Sequence, residues 1–320
     1  MIENLLFDPK DSRVHRNLVY SHDYAAENDV TLHVGRCETF LSQMPRGEAQ
    51  LIVTSPPYNV GKRYEKKRTI EDYVADQRAV IALCVDKLSP SGSICWQVGN
   101  YVVDNEVYPI DIMLYPLFRE LGLVLRNRII WHFEHGLHCG RRLSGRHETI
   151  LWFTWPGQNY TFSLDAIRVP QKYPGKKYFK GPKAGEYSAN PLGKNPGDVW
   201  VIPNVKHNHI EKTVHPCQFP VELVERLVLA LTKPGDLVLD PYMGSGSAAV
   251  AAVIHARRVA GCDVVPEYIN IAWQRATDAA KGNSRTRAMG QPVYVPQGSM
   301  SVSPWDVKTT PHPLLPLEPE

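Results

Sequence analysis

Residues 51–59 read Leu-Ile-Val-Thr-Ser-Pro-Pro-Tyr-Asn, an apolar run that ends in two consecutive prolines. Branched apolar residues followed by prolines are typical of a buried strand that stops at its carboxyl end. Ligands of open α/β sheets bind at that edge, so the stretch predicts both a sheet-based fold and the place of a site. Pro56 and Pro57 make a stiff turn whose carbonyls are free to accept hydrogen bonds.

The residues of this turn suit an exocyclic amino group on a nucleobase. Ser55 offers an acceptor oxygen, the Pro56 carbonyl offers a second one, and Tyr58 offers an aromatic face for the base. Drawing both amino hydrogens onto Ser55 and Pro56 frees the nitrogen lone pair for attack, with no need for a strong base or a covalent nucleophile. An ordinary strand-to-loop turn is the alternative that this stretch alone leaves open.

A second stretch, residues 237–247, reads Leu-Val-Leu-Asp-Pro-Tyr-Met-Gly-Ser-Gly-Ser and predicts a strand, a glycine-rich turn and a helix start. Glycines let the backbone approach a ligand closely, and a helix N-terminus favours a carboxylate or phosphate. Asp263 ends the next apolar run, residues 259–263, where a carboxylate is placed to hold ribose hydroxyls. The combination indicates a nucleoside-containing cofactor.

Together the two stretches resemble the motifs of the amino-group DNA methyltransferases that use S-adenosylmethionine. The segment 55–58 is similar to their D/N/S-P-P-Y/F catalytic motif, and the segment 240–246 is similar to their D-P-F-x-G-S-G cofactor motif, with Tyr242 in place of Phe. The resemblance implies catalytic roles for Ser55, Pro56, Pro57 and Tyr58. It implies S-adenosyl-L-methionine contacts for Asp240, Pro241, Tyr242, Gly244, Ser245, Gly246 and Asp263.

The resemblance covers roughly residues 30–278 and implies a fold. That fold is an open, doubly wound, mostly parallel α/β sheet of the seven-stranded class I methyltransferase type. The catalytic motif comes first and the cofactor motif last, which is similar to the circularly permuted β group. Near residue 35 the family often has Gly-Asp, with the acid near the cofactor's adenine; here Gly35-Arg36 stands there, and Glu38 is a candidate substitute.

Residues 215–220, His-Pro-Cys-Gln-Phe-Pro, resemble the family's HP-x-Q-x-P element beside the methionine end of the cofactor, which adds His215 to the site. Pro-Cys-Gln also matches the nucleophile motif of cytosine-C5 methyltransferases, whose cysteine attacks C6. Those enzymes carry this motif after their glycine-rich cofactor turn, whereas Cys217 precedes the corresponding turn here, residues 240–246, which we call the cofactor turn. The order favours direct attack by an amino group.

Ser55 bears on which base is methylated. Serine before Pro-Pro-Tyr is more usual in enzymes that methylate cytosine N4, whereas adenine-N6 enzymes usually carry Asp or Asn. The resemblance therefore implies methyl transfer to cytosine N4 in duplex DNA, with the base flipped out of the helix. Adenine-N6 methylation is the alternative within the family, and a non-catalytic nucleic-acid-binding module is the alternative outside it.

The composition is that of a globular protein: 320 residues, 43% hydrophobic and 22% charged, with a net charge of +3. So small a net charge requires any DNA footprint to be local. The six cysteines show no CxxC pairing, which predicts reduced thiols and a cytoplasmic protein. A secretory signal and a membrane-spanning run are not expected.

Basic residues cluster in three places. Five lie in residues 59–68 beside the catalytic turn, others lie around 141–146, and residues 156–214 carry a local charge of +5 interleaved with aromatics, which suits DNA recognition. A solvated loop is the alternative for each cluster. Zinc is conceivable at His132, His135, His138 and Cys139, but their spacing favours a DNA-facing loop, so we predict no metal site. The DNA-binding candidates are Lys62, Arg63, Arg141, Arg142, Lys176, Lys177 and Lys180.

These patterns divide the chain into an N-terminal arm (1–29), a catalytic half (30–155), a target-recognition region (156–214), a cofactor half (215–280) and an irregular Pro-rich tail (281–320). Helices are predicted over 70–88, 107–121, 224–231 and 266–280, and further strands over 94–98, 124–131 and 149–155. A restriction endonuclease acting on the same DNA site is a candidate partner.

Overall fold

Strands and helices alternate along the chain in the computed structural model, which describes residues 18–58, 68–136, 138–157 and 159–293. The strands are β1 (Tyr20–Ser21), β2 (Val30–Val34), β3 (Ala49–Thr54), β4 (Leu88–Val98), β5 (Asn100–Val103), β6 (Glu106–Pro109), β7 (Val124–His132), β8 (His147–Thr154), β9 (Val199–Val201), β10 (Leu237–Asp240) and β11 (Arg258–Asp263). The helices are α1 (Cys37–Ser42), α2 (Ile70–Lys87), α3 (Ile110–Glu120), α4 (Val221–Leu231), α5 (Ser247–Ile254) and α6 (Pro266–Ala280).

Within the described residues, nine strands form one sheet in the order β1-β2-β11-β10-β3-β4-β8-β7-β9. All neighbouring pairs are parallel except those of β8, which runs antiparallel to both β4 and β7. Seven of these strands, in the order β2-β11-β10-β3-β4-β8-β7, make up the predicted seven-stranded sheet. The short edge strands β1 and β9 extend it on either side.

Side chains of the strands alternate between two apolar layers. Leu51 and Val53 of β3 pack into one core with α4, α5 and α6, whereas Ile52 packs into the other core with α1, α2 and α3. This alternation is what the two-residue period of a strand requires when both faces are covered. The open, doubly wound, mostly parallel fold predicted from the sequence is confirmed.

The two sequence stretches meet because β3 and β10 are parallel neighbours, with Val238 opposite Leu51 and Leu239 opposite Ile52. Their carboxyl ends therefore lie at the same edge of the sheet. There, the Thr54 hydroxyl donates to Asp240 Oδ1 at 2.5 Å. Segments that are far apart in sequence are thus joined at the edge where a ligand site is expected.

Three sequence predictions need correction. The helix predicted over 107–121 begins at Ile110, because residues 106–109 pair with 100–103 as a hairpin whose turn residues Asp104 and Asn105 have φ of 51° and 65°. Strand β4 begins at Leu88 rather than at residue 94. The stretch before residue 30, predicted to be aperiodic, contributes β1 to the sheet edge.

The described residues of the segment 156–214 contain little regular structure beyond one helical turn, Asp165–Ile167, and β9. Aromatic contacts fix this segment on the sheet: Trp152 lies 5.8 Å from Tyr160 and 5.5 Å from Phe162, ring centre to ring centre. The segment 281–293, the described start of the tail, is held on α4, where the Arg287 guanidinium binds Glu222. Among the helices of the described ranges, none is both long and apolar enough to cross a membrane.

Candidate active site

A cavity of about 510 Å³ opens at the carboxyl edge of β3, β10 and β11, and its volume lies in the usual range for small-molecule sites. Both sequence stretches contribute to its wall. Eight of the twelve residues predicted for catalysis and cofactor binding line it: Ser55, Pro56, Pro57, Tyr58, His215, Pro241, Tyr242 and Asp263. The other four, Asp240, Gly244, Ser245 and Gly246, are buried next to it.

The catalytic turn carries a chain of hydrogen bonds that leads away from the cavity. Ser55 Oγ lies 2.7 Å from the Tyr58 hydroxyl, and that hydroxyl donates to Glu148 Oε2 at 3.2 Å. The side-chain amide of Gln97 donates to the same carboxylate oxygen. Glu148 stands at the start of β8, antiparallel to β4, so the sheet brings it to the turn from a remote part of the sequence.

The direction of this chain follows from its donors. An ionised carboxylate only accepts, and a phenol has a single hydrogen, which Tyr58 donates to Glu148. The hydrogen between Ser55 and Tyr58 therefore comes from Ser55. As a result, Ser55 Oγ has only lone pairs left for the cavity, which is the state that accepts a hydrogen from an amino group.

Burial dominates the titration of these groups. It raises the pKa of the Glu148 carboxyl to about 7, although hydrogen bonds from Tyr58 and Gln97 act in the opposite direction. Burial, with the charge of Glu148 added, raises the pKa of the Tyr58 phenol well above its usual value. Sequence reasoning missed Glu148; the available signal was an acidic residue at the head of the strand predicted over 149–155.

Asp240 organises the cofactor turn from inside the protein and is fully buried. Its Oδ1 accepts from the Thr54 hydroxyl at 2.5 Å and from the Tyr242 amide at 3.0 Å, while Oδ2 has no hydrogen-bond partner within the described residues. Burial raises its pKa to about 7 against the effect of both hydrogen bonds. The carboxyl therefore holds β3 and the turn together beneath the cavity wall.

The turn glycines are required by packing. Gly244 has φ of +49°, and a Cβ there would lie 3.0 Å from the imidazole Nε2 of His215. Gly246 has φ of +80°, and a Cβ there would lie 2.6 Å from the Cβ of Ala272 on α6. The first glycine admits His215 to the cavity wall, and the second lets α6 approach the start of α5.

Asp263 ends β11 and shapes the wall beside the turn. Its Oδ2 accepts from the Gly244 amide at 3.0 Å and its Oδ1 from the Val265 amide at 2.9 Å. Burial raises the pKa of this carboxyl, and the backbone hydrogen bonds oppose the rise. Since each carboxylate oxygen can accept more than one hydrogen bond, lone pairs are left for ligand hydroxyls.

His215 forms the opposite part of the wall, with its ring 4.4 Å from that of Tyr268 in an edge-on arrangement. Burial, together with the charges of Lys212 and Arg275, lowers its pKa to about 4. The imidazole is therefore neutral at physiological pH. Cys217, the alternative nucleophile, is exposed and lines the same cavity.

The family model for N6 and N4 methyltransferases, described as DNA methylase, matches residues 49–274. The chain belongs to this DNA methylase family. Among its relatives, the Type II methyltransferase M.BglII of Bacillus subtilis is 49% identical over 244 residues, which cover 76% of this chain and 68% of the relative. The DNA adenine methyltransferase YhdJ of Escherichia coli K12 is 32% identical over 249 residues, covering 73% of this chain and 78% of the relative.

Solved structures share the fold of this methylase. A candidate DNA modification methylase from Thermus thermophilus, complexed with S-adenosyl-L-methionine, is 28% identical, with a TM-score of 0.57 over 82% of this chain and 99% of the other. The PvuII cytosine-N4-specific DNA methyltransferase is 19% identical, with a TM-score of 0.61 over 82% of this chain and 93% of the other. The methylase uses S-adenosylmethionine, as the sequence predicted.

The residues present fit this cofactor. The cavity combines aromatic and apolar groups, such as Tyr242 and Val264, with the acceptors Asp263 and Glu38 for hydroxyl and amino hydrogens. Arg36 also lines the cavity and binds Glu38 Oε1 at 2.5 Å. The structure therefore brings the candidate substitute Glu38 into the cavity wall of the methylase.

The predicted DNA-binding residues of the methylase lie in separate loops. Arg141 and Arg142 belong to the loop after β7. Because β8 is antiparallel to both β4 and β7, strand β7 points in the same direction as β4 and ends at the edge of the sheet where the cavity opens. Lys176, Lys177 and Lys180 are exposed, and the Lys177 ammonium lies 5.1 Å from the ring centre of Tyr187. Lys62 and Arg63 lie outside the described residues. No group of three metal-ligating side chains occurs in the described parts of the chain.

Proposed function

We propose that this methylase transfers a methyl group to the exocyclic N4 of cytosine in duplex DNA. The observation that carries the proposal is Ser55 in the cavity wall, 2.7 Å from a Tyr58 hydroxyl that donates to Glu148. Because Tyr58 gives its one hydrogen to Glu148, Ser55 donates to Tyr58 and its lone pairs are left for the substrate. A neutral acceptor at this position suits an amino group whose lone pair, not a protein nucleophile, forms the new bond.

The chain's residues position the base for attack. Ser55 Oγ and the Pro56 carbonyl accept the two amino hydrogens, and the Tyr58 ring stacks on the base. S-adenosylmethionine, when bound, would supply the sulfonium methyl group that the amino nitrogen attacks. The base reaches this edge by flipping out of the duplex at a cost of a few kcal/mol, which basic loops offset through phosphate contacts.

Adenine N6 is the second candidate. It is supported by the 32% identity to a relative named as a DNA adenine methyltransferase. The serine at position 55 favours cytosine, because the family's adenine enzymes usually carry Asp or Asn there. The chemistry itself accepts either base, since both amino groups are conjugated with their rings.

Around the cofactor, we assign Asp263 to the ribose hydroxyls and Glu38 to the adenine. Tyr242, Pro241 and the neutral His215 provide the adjoining wall. Asp240, Gly244, Ser245 and Gly246 act by shaping the turn from below. In this assignment the buried members of the predicted set support the cofactor without lining its cavity.

Several sequence predictions extend this proposal. The lysines and arginines of the three basic clusters contact DNA phosphates, and residues 156–214 recognise the target sequence. Relatives such as M.BglII are named Type II methyltransferases, which supports a cognate restriction endonuclease acting on the same site. The circular permutation, the five-part division of the chain and the cytoplasmic location stay predictions.

Mass spectrometry of nucleosides tests the proposal directly. Unmethylated plasmid DNA is incubated with the protein and S-adenosylmethionine carrying a deuterated methyl group, then digested to nucleosides. We expect labelled N4-methylcytosine. Labelled N6-methyladenine alone would replace the cytosine assignment while sparing the mechanism, and labelled 5-methylcytosine would overturn both and point to Cys217 as nucleophile.

A further inference from the structure

The carboxyl of Glu148 has no part in the methyl transfer described above, yet it ends a hydrogen-bond chain that starts at the cavity wall. Ser55 Oγ and the Tyr58 hydroxyl lie 2.7 Å apart, and the Tyr58 hydroxyl lies 3.2 Å from Glu148 Oε2. Both separations lie within the reach of about 2.6–3.2 Å between heavy atoms over which a proton is transferred in general acid–base catalysis. The Gln97 amide fixes the far end by donating to the same carboxylate oxygen.

The reaction needs such an end point. When the amino lone pair forms the bond to the methyl carbon, the nitrogen gains a positive charge that is discharged only by loss of an N–H proton. Ser55 can receive that proton only if it passes its own hydrogen on, because a hydroxyl is a very weak base. A carboxylate joined to Ser55 through the Tyr58 hydroxyl supplies the missing base.

The other carboxyls of the described cavity wall are engaged elsewhere. Glu38 is paired with Arg36 at 2.5 Å, and Asp76 is paired with Arg68 at 2.5 Å. Asp263 is held by the amides of Gly244 and Val265. Among the carboxyls of the described residues, Glu148 is the one that a continuous chain of hydrogen bonds joins to Ser55.

We propose that Glu148 is the terminal proton acceptor of this methylase, acting on the substrate through Tyr58 and Ser55. The amino proton moves to Ser55 Oγ, the Ser55 hydrogen moves to the Tyr58 oxygen, and the Tyr58 hydrogen moves to Glu148 Oε2. The net change is a neutral amine and a neutral carboxylic acid, with both hydroxyls restored. Glu148 returns the proton to water after product release. The inference rests on the proposed attack by an exocyclic amino group.

The surroundings of Glu148 suit this role. Its pKa of about 7, raised by burial, lets the carboxylate both hold a proton and release it near neutral pH, whereas an ordinary glutamate would hold it poorly. Among the described residues, Tyr73 of α2 and Cys217 are titratable groups close enough to act electrostatically on Tyr58. In the sequence, Glu148 follows Arg146, which precedes β8, and His147, the first residue of β8.

Two variants interrupt the chain while keeping its shape. Glu148→Gln preserves size and a carbonyl acceptor for Tyr58, and Tyr58→Phe preserves the aromatic face. The matched controls are Glu106→Gln and Tyr108→Phe, because Tyr108 donates to Glu106 at 2.9 Å in an exposed pair of the same type on β6. All are assayed for single-turnover methyl transfer to unmethylated plasmid DNA between about pH 5 and about pH 9.

We expect the wild-type rate to rise with pH through a step near neutrality as Glu148 ionises. Glu148→Gln and Tyr58→Phe should each slow transfer roughly 100-fold and abolish that step, with unchanged affinity for S-adenosylmethionine by calorimetry. The Glu106 and Tyr108 variants should retain the wild-type rate and profile. If Glu148→Gln fails to fold, as judged by circular dichroism, Tyr58→Phe decides alone.

A wild-type rate in the variants, or a slow rate that keeps the wild-type pH step, would overturn the relay. Nucleoside mass spectrometry on the same reactions separates this failure from that of the proposed function. N4-methylcytosine formed at full rate by both variants removes the relay and keeps the base assignment. N6-methyladenine formed slowly by both variants keeps the relay and removes the cytosine assignment.

Discussion

At the residue scale, Asp263 combines a structural and a binding task in one carboxylate. It holds the amides of Gly244 and Val265, and it lines the cavity beside the cofactor turn. An alanine there would remove both the hydrogen bonds to the backbone and the acceptor in the cavity, so the two effects could not be separated. Asparagine keeps the size and one acceptor oxygen, so it removes the charge and one of the two backbone hydrogen bonds rather than both.

Asp263→Asn should therefore weaken binding of S-adenosylmethionine by about 1.5–3 kcal/mol, the usual range for a hydrogen bond to a charged group. Isothermal titration calorimetry measures the loss. Glu267→Gln, an exposed position in the first turn of α6, is the control and should leave affinity unchanged. Equal affinities for Asp263→Asn and wild type would remove Asp263 from the ribose role.

Asp240 makes a prediction about pH. Its pKa is about 7 in the fold against 3.8 as the ordinary value, so the folded state binds the proton more tightly. Its contribution to the free energy of unfolding is therefore complete below about pH 4 and is lost as pH rises through about 7. Asp240→Asn cannot ionise and does not suffer this loss.

We therefore compare the free energy of unfolding of Asp240→Asn with that of wild type at each pH. The variant's advantage over wild type should be larger at about pH 8 than at about pH 5, by a few kcal/mol. Urea unfolding of both proteins at both pH values measures it. Because the variant is compared with wild type at the same pH, the contributions of Glu148 and His215 to the pH dependence of unfolding cancel. The same stability difference at both pH values would show that Asp240 does not titrate in this range.

At the scale of elements, the junction of α5 and α6 depends on one glycine. A Cβ at Gly246 would lie 2.6 Å from the Cβ of Ala272, so the helices would have to move apart. Gly235 offers a matched comparison, because its φ of +86° is close to the +80° of Gly246 and a Cβ there meets nothing within 4 Å. Backbone strain is thus similar at the two positions, and only crowding differs.

Gly235→Ala should cost about 1–2 kcal/mol, the cost of a left-handed conformation in a residue with a Cβ. Gly246→Ala should cost a further 1–3 kcal/mol or so from overpacking. Denaturant midpoints of the two variants measure the difference. Equal losses would mean that α6 yields without strain and that the glycine is not needed for packing.

At the scale of the whole molecule, recognition of DNA is expected to depend on local rather than net charge. Lys176, Lys177, Lys180 and Lys183 are exposed on the segment 156–214. Replacing all four with alanine should flatten the dependence of DNA affinity on salt by about one slope unit per lost phosphate contact. Lys233→Ala is the control, because Lys233 precedes β10 and so lies at the opposite end of that strand from the cavity. An unaltered slope in the quadruple variant would show that these lysines are merely solvated.

The sequence carried the architecture because its signals are local. The apolar run before Ser55 predicts its strand from neighbouring residues alone, and so does the strand–turn–helix pattern around Gly244. Parallel pairing of β3 and β10 then brings the two segments together. Residues 107–109, which belong to the hairpin, fall inside the helix predicted over 107–121, because the hairpin turn depends on positive φ at Asp104 and Asn105, which apolar spacing does not show.

The parts of the site that sequence did not show are contacts between remote elements. Glu148 reaches Tyr58 because β8 folds antiparallel beside β4, and its position in the sequence alone gives no sign of that neighbour. Asp240 was predicted to touch the cofactor, but its place beneath the wall follows from the bond to Thr54 on β3. Tertiary structure decides both.

The proposed chemistry depends on Ser55 as the acceptor of a substrate hydrogen during methyl transfer, and Ser55→Ala removes that acceptor alone. The variant removes an acceptor used mainly in the transition state, so the single-turnover rate should fall by roughly 100-fold or more. Affinity for S-adenosylmethionine, measured by calorimetry on the same preparation, should stay within about twofold of wild type. A Ser55→Ala protein that methylates DNA at the wild-type rate would contradict the account.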